Sequence, residues 1–152
     1  MKLNKKQAEV KLAKLKKEEL SLLKIIEDAD KEKDIKLRIK GFDDILLIAK
    51  EKGYKYKPNK NDSVDEIAEK KIKLACLVVN EGWIPTKDKQ RWFPYFSFSG
   101  SSGFVFSNAL FDYDYVFVYC GFRLCLKDRE TAIFMGKTFP HLYKDMYLNM
   151  EY

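Results

Sequence analysis

The sequence predicts an α+β fold: N-terminal helices, a three- to four-stranded antiparallel sheet, and a C-terminal helix packed on that sheet. Three observations predict it. Of 22 Phe, Trp and Tyr residues, only Phe42, Tyr54 and Tyr56 precede residue 74. Residues 4–38 hold no Pro or Gly and are rich in the helix formers Lys, Glu and Leu. From residue 95 onward, apolar and polar residues alternate with the period of a strand and are punctuated by Ser and Gly. At 152 residues the chain suits one domain with an appendage, and a domain near this size buries about 70% of its unfolded surface. The expected division is a basic amphipathic helical extension, 1–40, followed by an α+β domain, 41–152.

The extension is read first. Ala8, Leu12, Leu15, Leu22 and Ile26 recur at four- and three-residue spacing and draw an apolar stripe, with Glu19 inside it. A continuous helix over residues 4–38 would be ~50 Å long. That exceeds what a small domain needs. The expectation is an arm that projects or self-associates through Leu12, Leu15, Leu22 and Ile26. Residues 27–34 are nearly all charged and are expected to fray or hinge.

Gly41 ends this element. Residues 42–52 read as a short helix, with Asp43 and Asp44 in its first turn and Gly53 past its end. Residues 54–62 form a Lys/Asn-rich loop. Ser63 and Glu66 fit a capping box, in which each satisfies the other's orphan N–H. The helix they open runs to about Asn80 behind Ile67, Ile72, Leu74, Ala75, Val78 and Val79, and Gly82 stops it. Residues 83–91 are a Pro-containing connection.

The strands follow. Tyr95, Ser97 and Ser99 alternate with Phe96 and Phe98, and residues 100–103 make a turn. Phe104 and Phe106 share a face of the next short strand. Phe111, Tyr113, Tyr115, Phe117 and Tyr119 then line one face, with Asp112, Asp114, Val116 and Val118 on the other. Gly121 marks a turn or bulge before a last strand over residues 122–126. Asp128 can cap a final helix to about Leu148, broken near Phe139 by Pro140. Helices 64–80 and 128–148 are expected to cover the sheet's apolar face.

The residues point away from catalysis. Cys76, Cys120, Cys125 and the lone His141 contain no Cys-x-x-Cys pair and no His pair at helical spacing, so neither a metal nor a cofactor is expected. Cys125 with His141 is the one Cys/His pairing open to nucleophilic catalysis, and three cysteines without a secretory leader suit buried thiols in a reducing compartment. Asp112 and Asp114 read as the solvent side of a half-buried strand. The Gly-Ser-Ser-Gly segment lacks a following Lys-Ser/Thr, and Gly136-Lys-Thr lacks the upstream Gly of a phosphate loop. The expectation is that the protein is not an enzyme.

Nucleic-acid binding has a stronger case. Trp92, Tyr95, Tyr113 and Tyr115, with Lys87 and Arg91 near them, have the residue types of a stacking sheet with cationic flanks. Charge weighs against it. The net +6 lies mostly in residues 1–40, with 13 Lys/Arg against 8 Asp/Glu, whereas residues 74–152 hold 8 of each. No apolar run approaches the ~18–20 residues that span a bilayer, so no membrane partner is expected.

The second half also carries a resemblance. Asn80-Glu-Gly-Trp-Ile-Pro85, Trp92-Phe-Pro-Tyr-Phe96, Ser102-Gly-Phe104, Gly121-Phe-Arg-Leu-Cys-Leu-Lys127, Gly136-Lys-Thr-Phe139 and Leu142-Tyr-Lys-Asp145 occur in that order. Over residues 41–148 this resembles a family of short uncharacterised proteins encoded by phages and prophages of gut Bacteroidetes. The chain departs from the family pattern at Phe122, where a Ser is usual, and at Pro140. The resemblance implies a phage origin and brings no catalytic residues. The combined expectation is a non-enzymatic binding protein, virion-associated or structural, with helix 1–40 as assembly arm. It would act in the host cytoplasm or be packaged in the virion, with a protein partner or a second copy. The alternatives are a single-stranded nucleic-acid-binding accessory protein and a host-defence inhibitor acting by protein–protein binding.

Overall fold

The structure, a computed structural model, describes residues 5–86, 89–99, 103–112 and 123–149. The chain divides into two compact units, Met1–Arg38 and Ile39–Tyr152. The first holds α1 (Lys5–Lys33) and a single further turn, α2 (Ile35–Arg38). The helix predicted over residues 4–38 is thus interrupted at Asp34. Asp34 Oδ1 accepts a hydrogen bond from Lys36 N at 3.0 Å and so starts a new turn. The 29 residues of α1 span about 44 Å.

The second unit is α+β. It contains α3 (Phe42–Glu51), α4 (Val64–Val79), β1 (Arg91–Ser99), β2 (Gly103–Asp112), α5 (Arg129–Thr138) and α6 (Pro140–Leu148). Local signals set the helix ends. Asp44 Oδ2 reaches back to accept from Lys40 N at 2.8 Å and Gly41 N at 3.2 Å, which opens α3. The capping box of α4 forms, with Glu66 Oε2 accepting from Ser63 N at 2.9 Å. After α4, Gly82 adopts φ 81°, the left-handed conformation that lets the chain turn away. Asp128 Oδ1 accepts from Thr131 N at 2.7 Å and caps α5. Pro140 has no N–H to continue that helix, so it becomes the first residue of α6.

The described sheet has two antiparallel strands, fewer than the three or four expected. Most of the alternating segment 111–119 lies outside the described residues, as does residue 122 of the expected last strand. What remains of that last strand is one bridge. Trp92 N donates to Leu126 O at 3.1 Å, and Leu126 N donates to Trp92 O at 2.9 Å. Strand β2 runs unbroken through residues 104–111, which period-two alternation alone divides between two strands.

A bulge makes that continuity work. Tyr95 pairs with Asn108 but Phe96 pairs with Phe106, so Ser107 is an extra residue. The insertion switches the parity of β2. Phe104, Phe106, Ala109 and Phe111 thereby share one face, opposite Phe98, Phe96, Pro94 and Trp92. On that face the Phe96 and Phe104 rings stack with centroids 4.7 Å apart, and Phe106 meets Phe96 edge-on at 5.9 Å.

Helix α5 covers this face by packing on both strands, and α6 adds Tyr143 against Phe96 at 4.9 Å. Gly136 is where helix and hairpin come closest. A Cβ there would overlap the Phe106 ring and lie 3.0 Å from Pro94 Cβ. Relative to the β1–β2 hairpin, α4 packs chiefly on α6 and α3, and it meets the expected last strand where Cys76 donates to Leu124 O and Asn80 to Cys125 O. Its place is in the next layer. Ile72, Ala75, Val78 and Val79 are fully buried, together with Leu126, Met135 and Phe139.

Candidate functional site

Helix α1 is exposed at every residue from 7 to 29, including Leu12, Leu15, Leu22 and Ile26 at 53–60%. Leu20, Leu23 and Ile25 are exposed as well. A helix with this much apolar surface in water forgoes about 1.5–3 kcal/mol for each large side chain it could bury. Lys14 and Glu18 are 4.0 Å apart and both exposed, a geometry that contributes about 0.3–0.5 kcal/mol.

The predicted stacking residues do not converge among those described. Trp92 lies on the helix-facing side of the hairpin, tilted against Phe111 at 5.0 Å. Tyr95 and Arg91 lie on the opposite face, because odd and even residues of β1 alternate sides. Tyr95 is half-exposed, but Arg91 is buried and not open to a phosphate. Lys87, Tyr113 and Tyr115 lie outside the described residues, as do Cys120 and Asp114.

The two described thiols are core groups. Cys76 Sγ donates to Leu124 O at 3.5 Å, and burial raises its pKa far above the ordinary range. Burial pushes the Cys125 thiol up to about 11, against a smaller opposing pull from the Arg91 guanidinium. A nucleophilic cysteine needs the reverse, a stabilised thiolate with access to solvent. His141 is exposed on α6 while Cys125 is sealed in the core. Among the described residues no three His, Cys, Asp or Glu gather into a metal-holding group, and no helix is long and apolar enough to cross a membrane.

The sequence reading missed a cleft of about 570 Å³ in the second unit. Leu74 and Leu77 of α4, with Trp83, Ile84 and Pro85 beyond it, supply apolar lining, and Tyr56 joins them from the loop before α4. Five cations also line it: Lys55, Lys57, Lys70, Lys73 and Arg123. None of its described lining residues is a carboxylate. Two of the cations are compensated nearby. Lys70 Nζ lies 2.6 Å from Asp62 Oδ2, and Lys73 Nζ lies 2.7 Å from Glu69 Oε1. Lys70, with the Asn59 N–H, holds the Asp62 carboxyl below its ordinary range. Among the described residues, no carboxylate pairs with Lys55, Lys57 or Arg123.

Residues around the cleft are anchored by contacts of their own. Tyr56 packs its edge on Phe42 at 5.5 Å, and Lys71 Nζ sits 5.2 Å above the other ring's centroid, a cation–π contact. Burial raises the Tyr56 pKa, the Asp62 carboxylate adds to that, and Lys70 opposes it. Asn80 is almost fully buried at the end of α4. Its Nδ2 donates to Cys125 O at 2.9 Å and its Oδ1 accepts from Lys127 N at 3.0 Å. This clamp fixes the backbone at residues 125–127, two residues beyond Arg123. The signal in the sequence was local: an aromatic between two lysines at residues 55–57, and Trp83-Ile-Pro just past a helix stop. Apolar residues placed in loops are candidates for a ligand surface.

Comparisons with protein-family models, curated proteins and solved structures find no match to this chain. The fold and the site define a class only: an α+β domain carrying a separate amphipathic helix.

Proposed function

We propose that this chain is a non-enzymatic, phage-encoded binding protein, a structural or virion-associated component that assembles through α1. One observation carries the reading. Leu12, Leu15, Leu22 and Ile26 stand exposed along a 29-residue helix, with Leu23 widening the same stripe. In an aqueous compartment the covering that best matches a stripe at four- and three-residue spacing is another helix with the same spacing. A second copy of α1 supplies one. Glu19 sits within the stripe and limits how tightly the helices close, as polar residues at such positions trade stability for a defined register. The resemblance over residues 41–148 supports the phage origin.

The test is the protein content of purified particles from an infected or induced host. The chain is expected at fixed stoichiometry by quantitative mass spectrometry, and the Leu15→Glu/Leu22→Glu variant is expected to be lost from them. Particles that lack the native chain would remove the virion reading.

A further inference from the structure

We propose that the cleft beside α4 binds a nucleotide: a phosphate attached to a planar aromatic base. This goes beyond assembly through α1, since every cleft residue belongs to the second unit.

Three properties select that chemistry. The first is charge. Lys55, Lys57 and Arg123 come from two separate segments of chain and converge on one cavity whose described lining holds no carboxylate. Like charges gathered in this way repel, and a multivalent anion relieves the repulsion. The guanidinium of Arg123 adds a planar fork suited to phosphate oxygens.

The second property is the apolar surface. Ile84 is 71% exposed and Leu77 44% exposed, so the cleft leaves apolar groups in water that a ligand would cover. Trp83 and Tyr56 supply ring surfaces beside them. A bare phosphate or sulfate would use the cations and leave this area open. A base stacked on an aromatic side chain uses both. The third property is size. A volume of about 570 Å³ falls within the ~300–1,000 Å³ of small-ligand sites, enough for one nucleotide and too little for a folded partner.

The nucleotide has two sources, free in solution or as one unit of a single strand, and the experiment separates them. Fluorescence anisotropy of the full-length protein is measured with labelled adenosine diphosphate, a labelled single-stranded oligothymidylate and a labelled acidic peptide, at low and at high salt. Matched measurements use Lys57→Glu/Arg123→Glu, two surface changes, and Ile84→Asp, a change at an exposed side chain. Unaltered thermal unfolding of the variants shows that they keep the fold. Saturable binding of the diphosphate, weakened about tenfold or more by each variant and by salt, supports the proposal with the free nucleotide as source. The same dependence with the oligothymidylate alone supports it with the strand as source. Binding of neither probe, binding indifferent to the variants, or cleft-dependent binding of the peptide alone would overturn it.

Discussion

Replacing Gly136 with alanine is expected to destabilise the domain by about 1–3 kcal/mol, the usual cost of overpacking a close-packed contact. The sign is the informative part. In an exposed helix interior, Gly to Ala stabilises by about 1 kcal/mol, because alanine loses less backbone entropy on folding. At Gly136 the added methyl meets the Phe106 ring and Pro94 Cβ. Neither can step aside easily: Pro94 is a ring within β1, and Phe106 is packed edge-on against Phe96. The helix must therefore move off the sheet, and valine should cost more than alanine. Urea unfolding at fixed pH measures this. Adding Phe106→Leu to Gly136→Ala should recover part of the loss, because the two residues share one space and their effects are not additive. A Gly136→Ala protein as stable as the native one would show that α5 does not approach the hairpin at this point.

Asn80 carries the second large effect. Its amide satisfies two backbone groups at once, Cys125 O and Lys127 N, and the residue is only 8% exposed. Asn80→Ala leaves both groups without their partner, and each unsatisfied buried group costs about 1–3 kcal/mol. The combined loss is expected to be about 2–6 kcal/mol. Asn80→Asp is expected to lose at least as much as alanine, since it keeps an acceptor for Lys127 N but sets a buried carboxylate oxygen against Cys125 O. Denaturant midpoints of the three proteins give the order. The cleft should respond as well, because its lining residue Arg123 lies two residues before the clamped Cys125 O. An Asn80→Ala protein with native stability would mean that the 125–127 segment is held by other contacts.

What was legible in the sequence was local. The Ser63–Glu66 box, the Asp128 cap and the break at Pro140 each depend on residues within four positions of one another, and each formed. The stripe on α1 was legible for the same reason, since helical spacing alone defines it. The bulge at Ser107 was not. Period-two reading puts Phe104 and Phe106 out of phase with Ala109 and Phe111, and pairing with β1 is needed to see that the phase change lies within one strand. That switch in parity across Ser107-Asn108 was the available signal. The cleft was hidden by distance along the chain. Lys57, Trp83 and Arg123 come from three segments, and only the packed fold brings them to one cavity. Residue type alone groups the stacking residues, whereas alternation along β1 puts Trp92 on one face and Arg91 and Tyr95 on the other.

The assembly role of α1 is tested most directly by sedimentation velocity of the full chain over a concentration series, beside Leu15→Glu/Leu22→Glu and Glu19→Leu. The native chain should sediment as a dimer or larger species whose fraction rises with concentration. The double variant should be monomeric with the second unit still folded, and Glu19→Leu should associate more tightly. A native chain that stays monomeric at the highest concentration, or a double variant that associates as well as the native protein, would contradict the account.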